Sequence, residues 1–93
     1  MEPVRLAVIG AGLIGAKHAK LVEACEECVF VGVADADPRR RAVAEGLGVP
    51  FYETTDALIG REQPEGAIVA TPTASHSSVT VACAERGVHA LVE

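Results

Sequence analysis

A chain of 93 residues is long enough for one hydrophobic core and no more. With 49% hydrophobic and 23% charged residues it is too apolar for a disordered segment and ordinary for a globular domain. A net charge of -5, with basic residues scattered apart from Arg39, Arg40 and Arg41, excludes an extended nucleic-acid surface, and one tyrosine without tryptophan leaves no platform for stacking bases. No apolar run approaches the roughly 18 residues of a membrane span, and Met1-Glu2-Pro3 carries neither a basic leader nor a cleavage site. A cytoplasmic protein without membrane partners is expected, and an odd count of three cysteines fits reduced thiols better than a disulfide scaffold.

In chain order, Val4-Arg5-Leu6-Ala7-Val8-Ile9 reads as a buried parallel strand stopped by Gly10. Leu13, Ile14, Ala16, Ala19, Leu21 and Val22 then recur at near-helical spacing to about Ala24, with Lys17, Lys20 and Glu23 on the wet face. Val29 to Ala34 repeats the buried-strand pattern. Asp37-Pro38 supplies a cap and a first-position proline for a helix to about Glu45, which Gly46 and Gly48 end. A short Pro50-Phe51-Tyr52 stretch precedes Thr54-Thr55-Asp56, which can cap a brief helix through Leu58 and Ile59. Ala67 to Ala70 is a further strand, residues 75–86 a helix stopped by Gly87, and Val88 to Val92 a last strand. Strands alternating with helices imply βαβ units, a parallel sheet and right-handed crossovers.

The motif Gly10-Ala11-Gly12-Leu13-Ile14-Gly15 matches G-x-G-x-x-G, a pattern too short to mean much alone. Here it follows a strand, opens a helix, and is answered by Asp35 at the end of the second strand, twenty residues after Gly15. Gly10 allows the sharp turn, Gly12 lets a pyrophosphate approach the backbone, and Gly15 lets the helix pack on the strand. The phosphates then lie on the free N–H groups and positive dipole of the helix start. The missing G-K-[ST] excludes a P-loop nucleotidase. Asp35 would accept from the adenosine ribose hydroxyls and repel a 2′-phosphate, favouring NAD; Arg39 and Arg40 close behind keep NADP open. The fold class expected is α/β, a Rossmann-type parallel sheet with helices on both faces, truncated after the fifth strand.

Ala70-Thr71-Pro72-Thr73-Ala74-Ser75-His76 stands at the carboxyl end of the fourth strand, the edge where open α/β sheets bind ligands. Pro72 fixes the turn, Thr73 can cap the next helix, and His76 falls on its first turn, aimed at the crevice or serving as a neutral cap. On these residues, together with His18, Val33-Ala34-Asp35 and Gly87-Val88-His89-Ala90-Leu91-Val92-Glu93, the chain resembles the glucose-fructose oxidoreductase, inositol dehydrogenase and rhizopine-catabolism (Gfo/Idh/MocA) family over nearly its whole length. The resemblance implies that residues 1–93 are the N-terminal part of an NAD(P)-binding domain whose cofactor contacts are Gly10, Gly12, Leu13, Ile14, Gly15, Asp35, Arg40, Ala70, Thr71, Pro72, His76 and Glu93. It also implies that the family's lysine follows Glu93 and that an aspartate and a histidine come from an absent C-terminal domain, so no catalytic residue lies in this chain. The implied reaction is hydride transfer between a nicotinamide and a sugar, cyclitol or related hydroxy compound, by a full-length enzyme that is a homo-oligomer.

Cys25-Glu26-Glu27-Cys28 has redox or half-metal-site spacing, but no second Cys/His pair accompanies it and the intervening acids should raise the thiol pKa, so neither metal nor redox function is expected there. Cys83, among Val79, Val81, Ala82 and Ala84, reads as core. His18 is assigned to helix packing or a hydrogen bond to a neighbouring loop, and Asp37 to the helix cap. Two other readings share the glycine loop: a non-catalytic dinucleotide sensor or scaffold, and an S-adenosylmethionine-dependent methyltransferase, which Gly15 and Thr71-Pro72 argue against. Apolar surface is expected to be exposed around the terminal strand.

Overall fold

The computed structural model describes residues 2–93. Five strands, β1 (Val4–Ile9), β2 (Cys28–Ala34), β3 (Phe51–Tyr52), β4 (Gly66–Val69) and β5 (His89–Val92), alternate with α1 (Leu13–Ala24), α2 (Arg41–Leu47), α3 (Thr55–Glu62) and α4 (Thr73–Glu85). All pairings are parallel, in the order β3-β2-β1-β4-β5. The chain therefore moves outward from β1 through β2 to β3, then returns to the other side of β1 with β4. That reversal leaves a crevice between β1 and β4 at the carboxyl edge of the sheet.

The sheet is buried on both faces because its strands are small and aliphatic on both. Along β1, Ala7 and Ile9 join the core beneath α3 and α4 with Leu58, Ile59, Val69, Val79 and Cys83. Val8 points the other way and packs against Ala19 and Val22 of α1. On β2, Val33 meets Ala44 of α2, while Gly32 leaves room for Leu58: a Cβ there would stand 2.7 Å from Leu58 Cδ1. The Tyr52 hydroxyl donates to the Glu62 carboxylate, tying the short β3 to α3, and that carboxylate pushes the phenol pKa up.

Most expected elements are found, with shifted ends. The strands begin at Cys28 and Gly66, one residue ahead of expectation, and α3 runs on to Glu62, capped by the Thr54 hydroxyl accepting from Ala57 N at 3.1 Å. The second helix opens as a 3₁₀ turn, Pro38–Arg40, before becoming α-helical, and it passes through Gly46 to Leu47; Gly48, at φ 74°, is the residue that stops it. Gly46 adopts no left-handed angle, so it has no capping role. At α4, Pro72 occupies the cap position and the helix begins at Thr73, two residues before expectation. Thr73 consequently sits inside the first turn and caps nothing. Leu91 and Val92 are 65% and 48% exposed, as expected for the terminal strand.

Leu58 is completely buried, and its side chain fills the space that Gly32 leaves open. Leu58→Ala should cost about 2–5 kcal/mol in urea unfolding with an unchanged m value. A loss below about 1 kcal/mol would mean that α3 does not anchor on β2 through this contact.

Candidate cofactor site

The crevice is built by three backbone segments forced into contact. Gly10 has φ 93° and donates to Ala34 O at 2.7 Å, and a Cβ on it would come within 2.7 Å of backbone atoms of Ala70 and Thr71. A Cβ on Gly15 would lie 1.8 Å from Gly10 O. Gly12 differs, for no atom lies within 4 Å of the Cβ it lacks. Its open side faces the crevice, and protein packing gives no reason for a glycine there.

Gly12 is also the cap of α1 and supplies no side-chain hydrogen bond, while the first turn contains no acidic residue. The N–H groups of Leu13, Ile14 and Gly15 have no intrahelical acceptor, so the helix start presents unneutralised donors and a positive dipole end. Leu13 and Ile14, both exposed, form an apolar rim beside them. Across the crevice, Ala70 N donates to Ile9 O at 2.8 Å, and Thr71 Oγ1 is buried with no hydrogen-bond partner. A buried orphan hydroxyl needs a partner from outside the chain.

Asp35 closes the site at the end of β2. Its Oδ2 accepts from Ala11 N at 2.7 Å and its Oδ1 from Asp37 N at 2.8 Å. The carboxylate thus fastens the glycine loop to the β2 terminus, a structural task the sequence reading did not foresee. Each oxygen keeps a further lone pair for a ligand hydroxyl.

The resulting cleft has a volume of about 810 Å³ and is lined by Gly10, Gly12, Leu13, Ile14, Asp35, Arg40, Ala70, Thr71 and Pro72 among the residues expected from sequence. Gly15 lies beneath the loop and supports it. His76 and Glu93 are not in the lining. The His76 ring reaches back so that Nε2 meets Thr71 O at 2.7 Å, clasping the turn after β4, which corrects the crevice-facing reading and accords with the alternative of a neutral capping histidine. Glu93 pairs with His18 Nε2 at 2.9 Å, linking the end of β5 to α1. Lining residues not expected from sequence include Glu53, Thr54 and Thr55, together with Asp37, Ser75 and Ser78. The signal for the first three was available, since the loop after β3 emerges at the same carboxyl edge as those after β1, β2 and β4.

The three arginines part ways. Arg39 Nη2 lies 2.8 Å from Asp37 Oδ2, Arg40 lines the cleft, and the Arg41 guanidinium sits 4.9 Å above the Phe51 ring. Asp37 also accepts from Arg39 N at 3.0 Å, as the cap reading expects. Among the described residues no group of three or more metal-binding side chains converges.

A glycine turn at a helix start, a carboxylate at the end of the neighbouring strand and a sheet whose order reverses between β1 and β4 define a dinucleotide-binding Rossmann domain. The chain belongs to the Gfo/Idh/MocA oxidoreductase family: residues 4–93 match its NAD-binding Rossmann fold. It is similar to inositol 2-dehydrogenase 1 of Saccharopolyspora erythraea, with 37% identity over 97% of this chain and 28% of that protein. It is similar also to the rhizopine catabolism protein MocA of Rhizobium meliloti, at 30% identity over 100% of this chain and 29% of the relative. Among solved structures, GenD2 from gentamicin A biosynthesis in complex with NAD superimposes with a TM-score of 0.92 at 28% identity, over 99% of this chain and 27% of the other. The chain thus spans under a third of the length of these relatives.

The hydrogen bonds from the Arg39 side chain and backbone hold the Asp37 carboxyl at about 2, below its ordinary 3.8. A depressed carboxyl pKa adds stability that is full above the unfolded value and is lost as pH falls through the folded one. Acid unfolding between about pH 4 and 2 should therefore be shallower in Asp37→Asn than in the parent, and carbon-detected NMR of the Asp37 carboxyl should show a midpoint near 2. A midpoint at the ordinary value would show that the Arg39 pair does not persist in solution.

Proposed function

We propose that this chain binds NAD(H) in the crevice between β1 and β4 and is the cofactor-holding part of a cytoplasmic oxidoreductase acting on a cyclitol, sugar or related hydroxy compound. The observation that carries the reading is the Asp35 carboxylate, fixed beside the glycine loop and facing the same cleft as the open side of Gly12. The pyrophosphate would lie on the N–H groups at the start of α1, where Gly12 leaves space and the dipole favours negative charge. Asp35 would accept from the adenosine ribose hydroxyls with the lone pairs its backbone contacts leave free. Thr71 Oγ1 would find its missing partner on the bound dinucleotide, and the Thr71-Pro72 turn, clasped by His76, would wall the far side.

When bound, the nicotinamide supplies the hydride chemistry. This chain's residues orient the cofactor, and Leu13 and Ile14 shield its middle from water. Substrate selection and proton transfer would belong to other parts of a longer, oligomeric protein. The cyclitol and sugar class is supported by the names of the relatives, among them the inositol 2-dehydrogenase.

NAD is favoured over NADP because Asp35 is held at both oxygens and cannot turn aside for a 2′-phosphate. Arg40 is the only one of the three arginines left to meet such a phosphate, because Arg39 is paired and Arg41 covers Phe51. Calorimetric titration should give NADH at least about tenfold tighter binding than NADPH, equivalent to about 1.4 kcal/mol. Arg40→Ala should leave NADH affinity within about threefold, whereas Asp35→Ala should lower it about tenfold to a hundredfold through the lost charged hydrogen bonds. Equal or tighter NADPH binding would overturn the NAD assignment, and folded protein binding neither would overturn the site.

A further inference from the structure

The function proposed above makes no use of Cys25 and Cys28, which lie at the opposite end of β2 from Asp35. Cys25 is the C-cap residue of α1 and Cys28 the first residue of β2. Between them Glu26 and Glu27 form a tight turn closed by Cys28 N donating to Cys25 O at 3.3 Å. A four-residue turn of this kind brings its first and last Cα atoms within about 7 Å, and disulfides span about 4.4–6.8 Å between Cα atoms. The turn is held from outside as well, because Val4 N donates to Glu27 O at 3.0 Å. Both thiols are half-buried, reachable by a small molecule, and the third cysteine, Cys83, is fully buried.

We infer that Cys25 and Cys28 are a thiol–disulfide exchange site, which a low-molecular-weight disulfide converts into an intramolecular bridge joining the end of α1 to the start of β2. The Cys25 thiolate attacks one sulfur of the small disulfide, forming a mixed disulfide and releasing one thiolate. The Cys28 thiolate then attacks the Cys25 sulfur, closing the Cys25–Cys28 bond and expelling the second thiolate. Two electrons pass to the small disulfide, which is reduced to two thiols and takes up the two protons that the cysteines lose. In the reduced pair the Cys25 thiol, burial and the Glu27 charge push the Cys28 pKa up, which leaves Cys25 to make the first attack. The closing step accelerates as pH rises because the Cys28 thiolate, not the thiol, is the nucleophile.

The bridge closes a short loop at a turn whose ends are already hydrogen-bonded to each other, so it restrains the unfolded chain more than the folded one. It also lies at the sheet's amino edge, away from the dinucleotide cleft.

The test is to incubate the reduced full chain with oxidised glutathione and follow intact mass, with the Cys25→Ser and Cys28→Ser variants alongside. The parent should lose the mass of two hydrogen atoms, its Cys25–Cys28 peptide carrying the change, with Cys83 still reduced. It should also close faster at about pH 9 than at about pH 7. The variants should stop at unmodified thiol or at a glutathione adduct. Oxidation should raise Tm by several degrees. Stable glutathione adducts on the parent, untouched thiols, or bridges between chains would overturn the proposal, and a lower Tm after bridging would overturn it by showing that the turn does not accommodate the bond.

Discussion

Everything in the crevice depends on backbone meeting backbone at Gly10, Gly15 and Ala70. With Gly10 O only 1.8 Å from where a Gly15 side chain would begin, α1 starts hard against the end of β1. That places its free N–H groups at the carboxyl edge of the sheet and not beyond it. With Gly10 also within 2.7 Å of Ala70 and Thr71 in the same sense, the turn after β4 is drawn up to the same point. No side chain could mediate an approach this close. The glycines act here by what they omit, and the positive φ of Gly10 is a second demand at one of the same positions.

Asp35 then adds a charged clamp to this packing arrangement. A carboxylate at a strand terminus would ordinarily be hydrated and mobile, yet here two backbone N–H groups hold one oxygen each. Hydrogen bonds to a charged acceptor are among the stronger ones, about 1.5–3 kcal/mol each, so the group is oriented before any ligand arrives. Preorganisation of this sort lowers the ordering cost of binding. It also makes Asp35 a poor candidate for a purely functional mutation, because its removal loosens the glycine loop at Ala11 as well as removing an acceptor. The Arg40 substitution is the cleaner probe of the same end of the cleft.

The sequence was most legible where a residue's role is set by its own backbone or by strict periodicity. The β1 and α1 bounds, Val4–Ile9 and Leu13–Ala24, follow from an aliphatic run, a glycine stop and a helical repeat, and the structure reproduces them. The placement of Asp35 beside the glycine loop was legible because turn and close approach restrict the residue type at Gly10 and Gly15. His76 and Glu93 were not, because a polar side chain near a sheet edge has several partners in reach and only three-dimensional distance selects among them. His76 chose the Thr71 carbonyl and Glu93 chose His18. Thr73 was misread for a related reason: Pro72, with φ -55° and ψ 147°, already holds the cap geometry, leaving Thr73 inside the helix. The orphaned Thr71 hydroxyl could not be read at all, since burial without a partner is a property of the assembled fold.

The arginine triplet shows how much local geometry can divide a uniform stretch of sequence. As a charge run, Arg39-Arg40-Arg41 suggests a patch of three positive charges on one solvated helix start. The 3₁₀ opening of the second helix and the Asp37 cap dismantle that patch. Arg39 folds back onto the residue that caps it, and Arg41, a full step further round the helix, is carried over Phe51 on β3. One cation, Arg40, is left facing a cleft that also holds Asp35, so two opposite charges share one end of it. The Asp35 carboxylate is held by two backbone N–H groups, whereas the exposed Arg40 must give up side-chain freedom before it makes any contact.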